Sequence, residues 1–527
     1  MTTVPAAEDQ SAQIALLLDP ATHGGDGPRR IDTHGAIVVL AGDRVLKMKR
    51  AVRFPFLDYS TPERRRAACA KELAINRRTA PELYLGVRPI LAGPGGRPQL
   101  GPRGEGAPQQ GAIDWVVEMR RFDDDALLDQ RARDGRLDEA TMLSLADAVA
   151  GFHRAAARRP EHGGRSAMAR IVEGIVEGLE GDAALDAGKV ARFRGASASR
   201  LAHDGALLDA RRDAGYARHG HGDLHLGNVC LWRGRPTLFD AIEFDDRIAS
   251  GDVLYDLAFL LMDLAHRGLD RLANAAFNRY LVRAVHDDGV DALAGLGALP
   301  LFLACRAGIR AQVSLAAARA QPDAAQAEAR RAEARAYLDL ALDCLDPPPP
   351  RLVAIGGISG TGKSTLAHAI APALGARPGA VVLRSDVFRK LLSGADLFQR
   401  LPQSAYAAAV TEQVFDALAR AAEIVLDAGH AAVADAVYLM PAQRDRIAAV
   451  AHRRGVAFAG LWLEAPQAEL ERRVTDRRHD VSDAGAEVVR WQSGLDPGRL
   501  DWSRIDAGQA PPAVAAAARS ALSSSRG

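Results

Sequence analysis

Residues 36 to 50 read AIVVLAGDRVLKMKR, two apolar runs around AGD, and this pattern predicts a β-hairpin with Gly42 in its turn. The stretch TPERRRAACAKELAINRRTA predicts a helix with Thr61 as its cap and Pro62 at its first position. IDWVVEMRRF predicts a further strand, and from about residue 137 helical periodicity dominates, continuing through an Ala-, Leu- and Arg-rich stretch from about 290 to 345. Beyond that the pattern changes. VAIGG, AVVLRSD, AAVADA and AFAGLWLEA are apolar runs separated by helical patterns, the alternation expected of a doubly wound parallel sheet. Ligands of such sheets gather at the carboxyl ends of the strands.

The change of pattern falls at DPPPPRL, where four consecutive prolines form a stiff spacer that neither helix nor strand can continue through. The chain therefore divides into a first domain at 1–345, a Pro-rich linker at 346–351 and a second domain at 352–527. A Gly/Pro-rich patch at 92–111 predicts a loop inside the first domain. With 527 residues, 48% hydrophobic and 25% charged, the chain is folded and too long for one core. Its 67 basic and 66 acidic residues leave a formal charge of +1, so no global field favours nucleic acid or an anionic membrane. The most apolar helix candidate, VLYDLAFLLMDLAH, is too short for a bilayer and carries Asp256 and Asp263, so no membrane partner is expected. Cys69, Cys230, Cys305 and Cys344 form no C-x-x-C pair, and the amino terminus has no basic region before an apolar run; both point to a cytoplasmic location. Lysine occurs at only six positions, Lys47, Lys49, Lys71, Lys189, Lys363 and Lys390, which draws attention to places where a compact charge suits a phosphate better than a planar fork.

HGDLHLGN, residues 221 to 228, precedes two short apolar runs, VCLW and PTLFD, separated by Arg233, Gly234 and Arg235. A hairpin centred on Gly234 places Asn228 opposite Asp240, bringing together two oxygen ligands of the kind magnesium favours. Asp223 then stands where it can accept a proton from an incoming hydroxyl. These residues resemble the catalytic loop of the protein-kinase-like fold, in the form used by aminoglycoside phosphotransferases and choline kinases. The pattern H-G-D-x-H-x-x-N is met by His221, Gly222, Asp223, His225 and Asn228, and a downstream D-x-x-x-D-L-A by Asp252, Asp256, Leu257 and Ala258. The resemblance implies an α+β bilobal domain with Asp223 as catalytic base, Asn228 and Asp240 as magnesium ligands, and Asp256 as a brace of the loop. It also implies Lys47 as the phosphate lysine with Glu72 as its partner; Lys49 stays an alternative, because period two puts both lysines on one face. His153 and His225 read as structural. The Gly-rich phosphate loop of protein kinases is absent, with only DTHG at Asp32 to Gly35 in its place.

GISGTGKS, from Gly357 to Ser364, satisfies G-x-x-x-x-G-K-[ST] between a predicted strand and a predicted helix. This makes Gly357, Ser359, Gly360, Thr361, Gly362, Lys363, Ser364 and Thr365 phosphate-binding residues, with Ser364 and Asp435, at the end of AAVAD, as magnesium ligands. RSDVFRKLL puts Asp386 at another strand's carboxyl end, with Arg389 a turn later as a phosphate-facing cation. Arg473 and Arg477 share a helix face and are placed to close over a transferring phosphoryl group, the alternative being a solvated helix in which they pair with Glu469 and Asp476. This half resembles P-loop kinases of small molecules or nucleic-acid ends, a group that includes gluconate kinase, chloramphenicol phosphotransferase, zeta toxins and polynucleotide kinase. That resemblance implies Asp386 as a base.

Taken whole, the chain resembles bacterial bifunctional aminoglycoside phosphotransferase/ATP-binding proteins, whose name is a family label and not a derived substrate. The resemblance implies an ATP- and Mg2+-dependent phosphotransferase with two nucleotide sites, acting on hydroxyl groups of small molecules. Two alternatives stay open: a P-loop kinase regulated by a catalytically silent, nucleotide-sensing kinase-like domain, and a nucleic-acid 5′-end kinase, against which the near-zero net charge counts.

Overall fold

The computed structural model describes residues 8–54, 57–476 and 481–524. By contacts it comprises two compact units, residues 1–163 with 212–260, and residues 164–211 with 261–527, so the proline segment lies inside the second. The first part of the chain is α+β, with an antiparallel sheet, and the carboxyl-terminal part α/β, with a doubly wound parallel sheet that carries the P-loop.

The first unit is built on a six-stranded antiparallel sheet: β1 (Arg29–Asp32), β2 (Ala36–Ala41), β3 (Arg44–Lys49), β4 (Tyr84–Ala92), β5 (Pro98–Leu100) and β6 (Ala112–Arg120) in the order β1-β2-β3-β6-β4-β5. The AGD hairpin forms as its pattern requires, with Ala41 paired to Arg44 and Gly42 at φ +53°. Helix α1 (Pro62–Asn76) begins where Thr61 accepts a hydrogen bond from the Arg64 amide and Pro62 occupies the first turn. It packs on one sheet face, where Cys69 and Leu73 meet Val45, Val87 and Val117. The opposite face, with Ile37, Leu46, Met48 and Val116, is covered by Leu17 of the helix Ser11–Leu18. Strand alternation therefore turns Val45, Lys47 and Lys49 together toward α1. Helix α2 (Glu139–Ala155), the hairpin β7 (Val229–Trp232) and β8 (Arg235–Leu238), and the start of α3 (Val253–His266) complete the unit.

The second unit contains helices Gly164–Leu179, α4 (Asp270–Asp288), α5 (Leu299–Ala320) and α6 (Ala324–Leu345), followed by a five-stranded parallel sheet. Its strands are β9 (Arg351–Gly356), β10 (Val381–Arg384), β11 (Ala432–Asp435), β12 (Ala457–Glu464) and β13 (Ser503–Asp506), in the order β10-β11-β9-β12-β13. The helices α7 (Lys363–Ile370), α8 (Ser385–Leu392), α9 (Ala408–Asp427), α10 (Pro441–Arg454), α11 (Gln467–Asp476), α12 (Ala486–Ser493) and α13 (Pro511–Ser524) connect and cover them. Every position of β9 is buried, as in a strand covered on both faces. Besides the 253–266 stretch, Val290–Ala320 is a long apolar segment. Among the described residues Val290–Ala320 alone has the length and composition to cross a membrane, and its most apolar 18-residue stretch is 83% buried inside the protein.

Strand β10 is an edge strand, and unpaired edge groups invite unwanted pairing. Two buried asparagines of α4 close this edge. Asn274 Nδ2 donates to Pro378 O and Ala380 O at 3.1 Å each, Asn278 Nδ2 donates to Ala380 O at 3.2 Å, and the Val382 amide donates to Asn278 Oδ1 at 2.7 Å. Nearby, the fully buried ring of His430 sets Nε2 3.1 Å from Leu296 O, while burial pushes its pKa down to about 4. Its usual value is 6.5, so the unfolded chain binds this proton first, and stability present above pH 6.5 is lost as pH falls toward 4, by up to about 3 kcal/mol. His430→Gln is expected to flatten this part of the decline, read from urea unfolding midpoints at pH 7.5 and 5; an equal decline in both proteins contradicts the assignment.

Candidate functional sites

In the first unit the HGD loop is held from below. Asp256, in the first turn of α3, accepts the His221 amide at 2.8 Å and the Gly222 amide at 2.9 Å, and its Oδ2 lies 3.0 Å from His153 Nε2. His153 is thus structural, as its sequence context suggests. Gly222 has φ +83°, and a Cβ there would stand 3.1 Å from Ile242 Cδ1 and 3.2 Å from Ala249 Cα, so only glycine fits the turn that presents Asp223. Asn228 Nδ2 donates to both Asp223 O and Asp223 Oδ2 at 2.9 Å. His225 braces the loop: its Nδ1 accepts the Gly227 amide at 3.1 Å, which leaves the neutral ring's proton on Nε2, 3.4 Å from Asp223 Oδ2.

The pairing read from the sequence is one residue out of register. The turn is the two-residue Arg233–Gly234, with φ +50° and +75°, and it pairs Val229 with Leu238. Asn228 therefore lies opposite Phe239, whose amide donates to Asn228 O at 3.0 Å, and Asp240 falls two positions beyond the end of the ladder at Leu238. Asp240 itself has φ +61°, an unusual backbone for a non-glycine residue and one found at functional sites. Its carboxylate pairs with Lys47 Nζ, and Lys47 Nζ also lies 2.9 Å from Glu72 Oε1. Burial alone would raise the Glu72 carboxyl, but Lys47 and Lys49 outweigh it and hold it down at about 2. Lys47, Glu72 and Asp240 thus form one cluster, and Asp223, His225 and Asn228 another. His221 bridges their segments, its Nε2 3.0 Å from Phe239 O and its carbonyl accepting the Ile242 amide at 3.0 Å.

In the P-loop half, adjacent strands align Ile355, Asp435 and Arg384 in one row at the carboxyl edge of the sheet. Just beyond it, Ser364 Oγ lies 2.5 Å from Asp435 Oδ2 and Lys363 Nζ folds back to Gly357 O at 2.8 Å and Ile358 O at 3.1 Å. Gly362 is the N-cap of α7 and carries no capping side chain, so the first-turn amides keep their donors for a phosphate. Gly360 has φ +87°, and a Cβ there would meet Leu470 O at 2.8 Å, because α11 lies directly on the loop. Thr361 Oγ1 donates to Ile358 O at 2.8 Å, and Thr365 is exposed at the start of the helix.

Two residues that the sequence reading passed over belong to this cluster. Arg384 Nε lies 3.5 Å from Asp435 Oδ2, and Gln492 Oε1 accepts the Ser359 amide at 2.7 Å, tying α12 to the loop. The arginine at the end of a strand was the available signal for the first; the second depends on a contact 133 residues away. Asp386 is half-buried in the first turn of α8. Arg389, expected to face a phosphate, gives Nη1 to Ala405 O at 2.6 Å and Thr411 Oγ1 at 3.3 Å and lies 4.8 Å over the Tyr406 ring. Arg473 pairs with Glu469 on its own helix at 2.8 Å, the arrangement of the solvated-helix alternative, and Arg477 lies outside the described residues. Among the described residues no three His, Cys, Asp or Glu side chains gather to hold a metal unaided, and all four cysteines are free and buried.

Residues 352–494 match the family model described as "AAA domain". A protein of Mycobacterium tuberculosis, described as "Uncharacterized protein Rv2004c", is 31% identical over 490 residues, covering 90% of this chain and 91% of its own. The chain belongs to the family of that protein. In this member the part matched by that model carries the P-loop and the parallel sheet, and the α+β part precedes it. Among solved structures, a choline/ethanolamine kinase family protein from Mesorhizobium loti is similar at 16% identity, covering 64% of this chain and 98% of that one, with a TM-score of 0.38. A gluconokinase from Sinorhizobium meliloti is similar at 21% identity, covering 33% and 93% respectively, with a TM-score of 0.25.

Proposed function

We propose that the protein is an ATP- and Mg2+-dependent phosphotransferase with two nucleotide sites, each passing the γ-phosphoryl group to a hydroxyl of a small molecule. The observation that carries this reading is the P-loop cluster, where a lysine, a hydroxyl and a buried carboxylate converge beside uncapped helix amides. The Lys47–Glu72–Asp240 cluster supports a second such site in the first domain, taken as 1–345, with 346–351 as linker and 352–527 as the P-loop domain.

Both sites offer the hard oxygen donors that magnesium takes a few at a time, completing its shell from phosphates and water. Asn228 and Asp240 would hold it in the first site, and Ser364 and Asp435 in the second; there it supplies charge neutralisation to the phosphates. Lys47 in one site and Lys363 in the other bind phosphate oxygens, with the amides of 357–365 wrapping the second nucleotide. Asp223 is oriented by Asn228 Nδ2 and His225 Nε2 to take the acceptor's proton at its carboxylate, and Asp386 takes the same part at the second site. Arg473 and Arg477 close over the second site once Arg473 leaves Glu469. Four free, buried cysteines support a cytoplasmic location.

The test is ADP release by the full chain with ATP and Mg2+ against a panel of alcohols, sugars and amino alcohols, repeated with EDTA. Release that depends on both a hydroxyl compound and Mg2+ is expected; release indifferent to every hydroxyl compound points instead to an ATPase or sensor.

A further inference from the structure

Strand β3 carries two inward-facing lysines where phosphate binding accounts for one. Lys47 and Lys49 share Glu72, Lys47 Nζ at 2.9 Å from Oε1 and Lys49 Nζ at 2.5 Å from Oε2. Beyond it they diverge. Lys47 pairs with Asp240, whereas Lys49 pairs with Glu243, three residues further along the same segment. Glu243 Oε1 also accepts the Tyr59 hydroxyl at 2.6 Å, and Lys49 Nζ stands 5.3 Å over the Tyr59 ring. Gln10 Nε2 fixes the backbone by donating to Lys49 O at 3.0 Å.

Burial separates the two lysines. The side chain of Lys49 is only 4% exposed, between carboxylates that are 0% and 6% exposed, and a buried ammonium persists only when fully paired. Lys47 keeps 13% exposure and one partner, Asp240, that is 40% exposed. Lys47 also has two incompatible partners under the reading above: it neutralises Asp240 now, and must release it to a metal when it turns to a phosphate. Were Lys47 the sole tether, Glu72 and the Asp240 segment would lose their cation together at that moment. Lys49 keeps hold of Glu72 Oε2 and of Glu243 throughout.

We propose that Lys49 is a positioning residue, a fixed anchor that keeps Glu72 and the Asp240–Glu243 segment in place while Lys47 exchanges Asp240 for a nucleotide phosphate. The inference rests on reading the first site as an ATP site.

The test uses the full chain carrying Lys363→Ala, so that binding reports the first site alone, and compares ATP affinity by calorimetry with and without Mg2+. The Lys363→Ala protein is expected to bind ATP more tightly with Mg2+. Adding Lys49→Met is expected to remove about tenfold of that Mg2+-dependent tightening, within the usual range of coupling between two ligands. Lys49→Arg, which keeps the charge, restores part of it. Thermal melting monitors folding, and should Lys49→Met not fold, Glu243→Gln, which removes one end of the anchor at constant volume, must show the same loss. Undiminished Mg2+ tightening in a folded Lys49→Met protein, or in Glu243→Gln, overturns the anchor. Absence of ATP binding in Lys363→Ala itself is a different result, which overturns the ATP reading of the first site.

Discussion

Lys363→Ala is expected to lower phosphotransfer by the P-loop half by about 10²–10³-fold, the loss typical of removing one group aimed at developing charge. In the structure Lys363 Nζ lies 2.8 Å from Gly357 O and 3.1 Å from Ile358 O, folded over the glycine loop whose amides would wrap the phosphates. Lys363→Arg is not expected to restore activity, because a planar fork cannot fold back over the same short span. Calorimetric ATP binding and steady-state ADP release both read the effect, with thermal melting as the control for folding. An activity unchanged by Lys363→Ala would mean that the loop holds no reacting phosphate.

Asp223→Asn has the second largest expected effect, a fall of about 10²–10⁴-fold in phosphotransfer by the first domain, the usual contribution of a general base. The substitution is nearly isosteric and leaves an oxygen to accept from Asn228 Nδ2, while the Gly222 turn and the Asp256 brace are untouched. ATP affinity should therefore stay within a few-fold of the parent. Measured in the Lys363→Ala background, this split between affinity and turnover separates a catalytic domain from a nucleotide sensor. A sensor has no use for the proton acceptor, and Asp223→Asn would leave its behaviour unchanged.

Local patterns made much of this legible. The AGD hairpin, the Thr61–Pro62 helix start and four of the five parallel strands announce themselves by alternation, capping or apolar runs. Strand β13 escapes because it is an edge strand with one buried residue, Ile505, and so has no apolar run. The register error at Asn228 has a single cause: the turn residue Arg233 adopts a left-handed backbone that its type does not advertise, giving a two-residue turn where Gly234 alone suggested one centre. Residues that work through tertiary partners were beyond reach. Glu243 meets Lys49 across 194 positions, and Gln492 meets Ser359 across 133, with no local spacing to betray either. Arg389 shows the converse, a cation expected to face a phosphate whose guanidinium is occupied by the Ala405–Thr411 segment.

The most direct measurement of the central claim is the stoichiometry of a non-hydrolysable ATP analogue with Mg2+, taken by equilibrium dialysis. Two equivalents per chain are expected for the parent, with one remaining in Lys363→Ala and one in Lys47→Met. A single equivalent in the parent, abolished by Lys363→Ala and indifferent to Lys47→Met, would contradict it.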